Sequence, residues 1–156
     1  MTCLFELSIA LLITLLNGFF VMAEYSLVRI RKSRLDELIR QGKSRANTVL
    51  KMSEKLDTYL SATQLGITAS SLLLGWFGGP LLAEMFRGMF GVSAGTWYDH
   101  SLVFACAFLI IVFLHVVFGE LVPRTIALGK VEQVAMAVAY PLVFFHLPFI
   151  SAGCAF

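Results

Sequence analysis

The chain has 156 residues, 58% hydrophobic and 14% charged, with mean hydropathy +0.83, against roughly 45–50% apolar and about 25% charged for an ordinary soluble domain. One domain of this size has too little polar surface to cover such a composition, which excludes a water-soluble globular fold and turns the apolar excess toward lipid. The net charge is only +2, but residues 29–57 hold nine basic residues against four acidic ones. A basic block abutting a long apolar run marks the cytoplasmic side of a membrane, and a nucleic-acid partner is set aside on that ground.

Residues 4–28 form an apolar run broken only by Glu6, Asn17 and Glu24, long enough at 1.5 Å per residue for a hydrocarbon core of about 30 Å. A basic n-region is missing and the run is too long for a signal peptide. The cluster Arg29, Arg31, Lys32 and Arg34 holds its far end in the cytoplasm, so the N-terminus is expected outside. Residues 30–57 read as two short amphipathic helices, a cytosolic hairpin. Ser33 and Asp36 resemble a capping box, Gly42 interrupts, and Leu35, Ile39, Ala46, Val49, Leu50 and Leu56 make the apolar stripes.

Residues 59–79 form the next apolar run, ended by Gly78-Gly79-Pro80. The stretch to His100 is poor in Lys and Arg, carries Glu84, Arg87 and Asp99, and offers Trp97 and Tyr98 as interfacial anchors. Residues 101–122 bring the chain back to Arg124 and Lys130, which completes three crossings of a consistent orientation. Residues 131–156 are apolar but hold Pro141 and Pro148, and read either as a fourth span or as a bent juxtamembrane helix. The apolar ending at Phe156 suggests truncation. Cys3, Cys106 and Cys154 form no CxxC pair and read as core-filling thiols.

Polar groups inside a span are expensive and so are functional candidates. In the first span Asn17 and Glu24 are seven residues apart on one face; Glu24 could instead pair with Arg29 at the interface. In the second, Ser61, Gln64, Thr68, Ser71 and Gly75 share a face, opposite a small-residue row of Ala62, Gly66 and Ser70 suited to dimer or helix packing. The hydroxyls of that face supply either ion ligands or bonds to their own i−4 carbonyls. In the third, Pro123 frees the Gly119 carbonyl beside Glu120, a combination that makes cation sites in broken membrane helices. Pairing of Glu120 with Arg124 is the alternative, and His115, with no second His or Cys nearby, reads as a packing residue. The inventory is oxygen-rich, which suits a hard cation such as Mg²⁺ better than zinc or copper.

The segments Asn17-Gly-Phe-Phe-Val-Met-Ala-Glu24-Tyr-Ser-Leu-Val, Leu60-Ser-Ala-Thr-Gln-Leu-Gly-Ile-Thr-Ala-Ser-Ser-Leu-Leu-Leu-Gly-Trp76 and His115-Val-Val-Phe-Gly-Glu-Leu-Val-Pro-Arg-Thr-Ile-Ala127 resemble the transmembrane domain of the CorC and cyclin M (CNNM) family over nearly the whole chain. The resemblance implies an all-α homodimeric magnesium transporter of the plasma or inner membrane, exporting Mg²⁺ with Na⁺ as coupling ion. It implies three spans, an intracellular hairpin and a juxtamembrane belt helix for 131–156, with cytosolic CBS domains following in the full-length protein. Glu120 matches the family's Gly-Glu-x-x-Pro carboxylate in an inward-facing site. Ala23 stands where many members have Ser, and Thr68 and Ser71 where many have Asn, so the ligand shell and preferred ion remain open. The candidate metal set is Glu120, Gly119, Ser71, Thr68, Asn17, Gln64 and Glu24, with Pro123 as the helix break.

Two other function classes remain. A non-transporting scaffold or Mg²⁺ sensor would use the Ala62, Gly66 and Ser70 face to pair subunits and the basic hairpin to engage partners. An intramembrane enzyme would need His115 and Glu120 to act together, but on a regular helix they lie about 140° apart. No HExxH or Gly-x-Ser-x-Gly motif supports it, and the chain is read as not an enzyme.

Overall fold

A computed structural model describes residues 2–90 and 97–153, with side chains at 5, 7–78, 105, 106 and 108–145. Every element among them is helical. The anchors Trp97 and Tyr98, the charges Glu84, Arg87 and Asp99, and Cys3 and Cys154 fall outside the described side chains.

The first helix, α1 (Thr2–Arg29), is continuous, and its Leu7–Arg29 stretch is long and apolar enough to cross a membrane. The basic segment then folds into α2 (Lys32–Arg40) and α3 (Ser44–Glu54). The capping box expected at Ser33 and Asp36 does not form. Helical geometry begins at Lys32, and the extended backbone that a cap requires belongs to Arg31, at φ −91° and ψ 135° with no side-chain cap bond. The turn between the two helices sits on Gly42, whose φ of +81° is a conformation other residues adopt at a cost. Leu35, Leu38, Val49 and Met52 are fully buried, each contributing roughly 1.5–3 kcal/mol. They join Phe20, Ala23 and Leu27 of α1 in one core.

The fourth helix, α4, runs unbroken from Leu56 to Phe90. The break expected at Gly78-Gly79-Pro80 is absent. Proline costs an interior helix one hydrogen bond, but ending the helix in an apolar medium would strand several backbone groups without water, which is worse. Packing on α1 is close: a Cβ on Gly66 would stand 2.7 Å from three ring atoms of Phe20. Ala62 and Ser70, one turn either side, are buried as well. The small-residue row is therefore consumed inside the chain, against α1, and is not a free face for pairing subunits.

The next run comprises α5 (Trp97–Leu114), a π-helical turn at His115–Leu121 and α6 (Val122–Gly129). Its Phe108–Gly129 part is the second stretch long and apolar enough to span. The helix break read at Pro123 takes the form of a widened turn, after which helix continues for about two more turns. Wide turns bond i to i+5, and the cap amide of Val122 bonds the Val117 carbonyl in this way. Finally α7 (Val131–Gly153) continues through Pro141 and Pro148 without a break. It packs on α1 and α3 through Val134, Ala135, Val138, Ala139 and Leu142. Arg34 of α2 pairs with Glu132 at its start (Nε–Oε1 2.6 Å) and with Glu37 of its own helix.

Candidate cation site

Asn17 lies twelve residues from the basic end of α1, about 18 Å along a helix. It is 1% exposed, and its Nδ2 donates to the Gly119 carbonyl at 2.9 Å. This contact requires α1 and the π-helical turn to approach closely, and two glycines permit it. A Cβ on Gly18 would lie 2.9 Å from Pro123 Cγ, and a Cβ on Gly119 3.0 Å from His115 Nδ1 and 3.1 Å from Asn17 Nδ2. Gly119 and Pro123 are both buried, so the proline serves as packing against α1 as well as a backbone lesion.

His115, read from the sequence as a packing residue, is part of this cluster. Its Nε2 sits 3.1 Å from Ser71 Oγ. Ser71 already donates its one hydroxyl hydrogen to the Ile67 carbonyl at 2.9 Å, so the imidazole is the donor in this contact. Among the described residues two buried side-chain atoms lack a hydrogen-bond partner, Asn17 Oδ1 and His115 Nδ1. Both belong to side chains that flank Gly119. The periodicity of an ordinary helix sets His115 and Glu120 on different sides, whereas the i to i+5 pattern of the π-helical turn brings residues five apart together. The Glu120 carboxylate is close enough to act electrostatically on His115.

Toward the basic hairpin lies a second, carboxylate-rich level. Glu24 is half-buried, within hydrogen-bonding reach of Gln64 and electrostatically coupled to Glu120. The alternative interfacial pairs are not made: among the described residues neither Glu24–Arg29 nor Glu120–Arg124 is an ion pair, and Arg124 stacks over the Tyr25 ring at 4.5 Å. Glu120 itself is exposed.

The second-span stripe divides. Ser71 joins the His115 cluster and Gln64 joins Glu24, but Thr68 is exposed and its hydroxyl bonds the Gln64 carbonyl of its own helix. Ser61 does the same with the Asp57 carbonyl, and Gly75 has nothing within 4 Å of a Cβ. Sequence reasoning passed over Thr63 and Ser26, both fully buried and each bonded to the carbonyl three residues back. An apolar recess of about 360 Å³ between α1, α4 and α5 has Thr14 as its one polar residue and offers a cation little. No group of three or more His, Cys, Asp or Glu able to hold a metal occurs among the described residues. Ligands at Asn17, Gly119 and His115 would thus be an amide, a carbonyl and one imidazole.

The profile of the cyclin M transmembrane N-terminal domain (CNNM) matches residues 7–152 of this chain. The chain belongs to the cyclin M family. Three Bacillus subtilis (strain 168) relatives give the scale of the likeness. UPF0053 protein YugS is 42% identical over 141 residues, covering 88% of this chain and 33% of its own length. UPF0053 protein YhdP is 43% identical over 146 residues, covering 91% and 33%. UPF0053 protein YrkA is 39% identical over 149 residues, covering 93% and 34%. The chain spans about a third of the length of these relatives. In this cyclin M domain Ala23 is fully buried in the core with Phe20 and Leu27. The apolar helices and the family together make it a membrane domain.

Proposed function

We propose that this cyclin M domain carries a divalent cation, Mg²⁺, across the membrane through a site between α1, α4 and the π-helical turn. One observation carries the reading: a buried asparagine on one helix is bonded to the carbonyl of a π-helical glycine on another, and Glu120 follows that glycine in the chain. Oxygen atoms of this mix replace the hydration waters of a hard cation. The Gly119 carbonyl, Asn17 Oδ1 and Glu120 form the ligand nucleus, Glu24 with Gln64 lies on the route to the cytoplasmic side, and Ser71 holds His115 in place. Thr68, exposed and bonded to the Gln64 carbonyl of its own helix, is left outside this nucleus.

Three crossings follow in this reading from α1, from α4, whose 35 residues extend about 52 Å, and from the α5–π–α6 run. The basic α2–α3 pair lies in the cytoplasm and the N-terminus outside. The buried stripe of α7 and the Arg34–Glu132 pair at its start support a helix held along the inner face as a belt. The homodimer, the export direction, Na⁺ as coupling ion, the plasma or inner membrane and cytosolic CBS domains come with the family resemblance. A wide turn stores alternative hydrogen-bond registers, which gives the helix a place to flex as the site opens to one side or the other.

The test is Mg²⁺ flux in proteoliposomes together with Mg²⁺-dependent thermal stabilisation in detergent, for wild type and Glu120→Gln. A ligand that binds only the folded state raises its stability. Loss of both signals in Glu120→Gln is expected; flux and stabilisation equal to wild type would remove Glu120 from the site and the transport reading with it.

A further inference from the structure

The cluster around Gly119 contains more than an oxygen site needs. Ser71 has a single hydroxyl hydrogen, committed to the Ile67 carbonyl, so His115 Nε2 carries the proton in its contact with Ser71 Oγ. In a neutral imidazole the other nitrogen is then an acceptor with an available lone pair. That nitrogen, Nδ1, is buried without a hydrogen-bond partner among the described residues, and so is Asn17 Oδ1 on a side chain that is 1% exposed. Both side chains converge on the same glycine, where a Cβ would stand 3.0 Å from Nδ1 and 3.1 Å from Asn17 Nδ2.

Two buried acceptors on side chains that flank one glycine thus have no donor among the described residues. A donor hydrogen or a cation would relieve the arrangement, and the Glu120 charge close to His115 favours the cation. Ser71 fixes the tautomer from the far side of the ring, the way an outer hydrogen bond directs a ligating imidazole. Hard Mg²⁺ gains little from imidazole, whereas first-row transition ions accept a mixed nitrogen and oxygen set. Resting on the cation-site reading above, we propose that His115 Nδ1 and Asn17 Oδ1 together ligate the bound ion, so that this domain accepts first-row divalent ions such as Mn²⁺ as well as Mg²⁺.

The experiment uses Mn²⁺ alone as the probe, bound to the full chain in detergent, and reads pulsed electron paramagnetic resonance for nitrogen hyperfine coupling. Wild type is expected to show ¹⁴N modulation that converts to the ¹⁵N pattern on [¹⁵N]histidine labelling, a readout that needs no variant. His115→Gln, which retains an amide able to reach Ser71, is expected to lose the modulation and to bind Mn²⁺ more weakly by about tenfold or more. His100→Gln and His146→Gln are expected to keep it, and His115→Gln is expected to weaken Mn²⁺ more than Mg²⁺. Mn²⁺ bound with no nitrogen coupling, coupling that survives in His115→Gln, or no Mn²⁺ bound by a protein that binds Mg²⁺ would each overturn the imidazole ligand while leaving the oxygen site standing. Failure of both ions to bind would overturn the two readings together, and an effect of His115→Gln without any effect of Glu120→Gln on Mg²⁺ would overturn the transport site alone.

Discussion

A single added methyl at Gly119 tests whether the cluster is built around that glycine. A Cβ there would lie 3.0 Å from His115 Nδ1, 3.2 Å from its Cε1 and 3.1 Å from Asn17 Nδ2, against about 3.5–4.0 Å for relaxed carbon contacts. Both neighbours would have to move by several tenths of an ångström together. Asn17 cannot retreat without stretching its 2.9 Å bond to the Gly119 carbonyl. Overpacking of this kind costs about 1–3 kcal/mol, and a buried carbonyl left without its donor costs about 1–3 kcal/mol more. Gly119→Ala is therefore expected to lower the melting temperature in detergent and to blunt the stabilisation by Mg²⁺, both read by differential scanning fluorimetry. Gly75→Ala is the control, because nothing lies within 4 Å of a Cβ at that position and alanine is favoured over glycine inside a helix by up to about 1 kcal/mol. A Gly119→Ala protein with wild-type melting and Mg²⁺ response, or a Gly75→Ala protein equally damaged, would refute the reasoning.

Gly66→Ala drives a methyl to 2.7 Å from the Phe20 ring and is expected to destabilise the α1–α4 contact by about 1–3 kcal/mol, with partial recovery in combination with Phe20→Leu; strictly additive effects in a double-mutant cycle would mean the two residues do not meet. The ion pair between α2 and α7 makes a pH prediction. Arg34 holds the Glu132 carboxyl below its ordinary range, chiefly by hydrogen bonding, so the pair's contribution is complete above the unfolded carboxyl value near pH 4.3 and is lost as pH falls below it. Both partners are more than a third exposed, so the effect is modest. Hydrogen exchange of the first turns of α7 is expected to accelerate on acidification in wild type after correction for intrinsic rates, and to be fast already at pH 7 in Glu132→Gln; the same protection in both proteins at pH 7 would show that the pair does not tether α7.

Composition and hydropathy made the membrane character and the α1 run legible, and Gly42 marked the turn between α2 and α3, where φ is +81°. The helix end read at Pro80 is absent, and the break read at Pro123 takes the form of a widened turn within a continuing helix, for one physical reason. Rules that end helices at proline assume that water will take the freed backbone groups, and in an apolar setting the helix is held together past the defect. At Pro123 the accommodation is a widened turn, and that turn hid His115. With 100° per residue the sequence separates His115 from Glu120, and a lone histidine without thiol or imidazole neighbours reads as packing. The i to i+5 turn and the distant Ser71, 44 positions away, bring it to the site, and no local pattern encodes either. Asn17 was legible because an amide deep in an apolar run is costly wherever it points, while its acceptor, the Gly119 carbonyl, was flagged by the Pro123 spacing.

Packing alone does not account for what gathers at this level of the fold. Close approach of α1 to the π-helical turn requires Gly18 against Pro123 and a small residue at 119, and apolar side chains would complete such a contact at lower cost than an amide and an imidazole. The Asn17–Gly119 bond satisfies one donor and one carbonyl, but it leaves Asn17 Oδ1 buried, and the Ser71 contact leaves His115 Nδ1 buried in the same way. Each unsatisfied acceptor costs about 1–3 kcal/mol, and nothing in the helix contacts requires either of them. Residues that break local rules without a packing return are expected where function sets the sequence. On the proposed reading a divalent cation would convert the two stranded acceptors into ligands and set the carboxylates Glu120 and Glu24 against a positive charge, so that the features that weaken the fold are the features that would hold the ion.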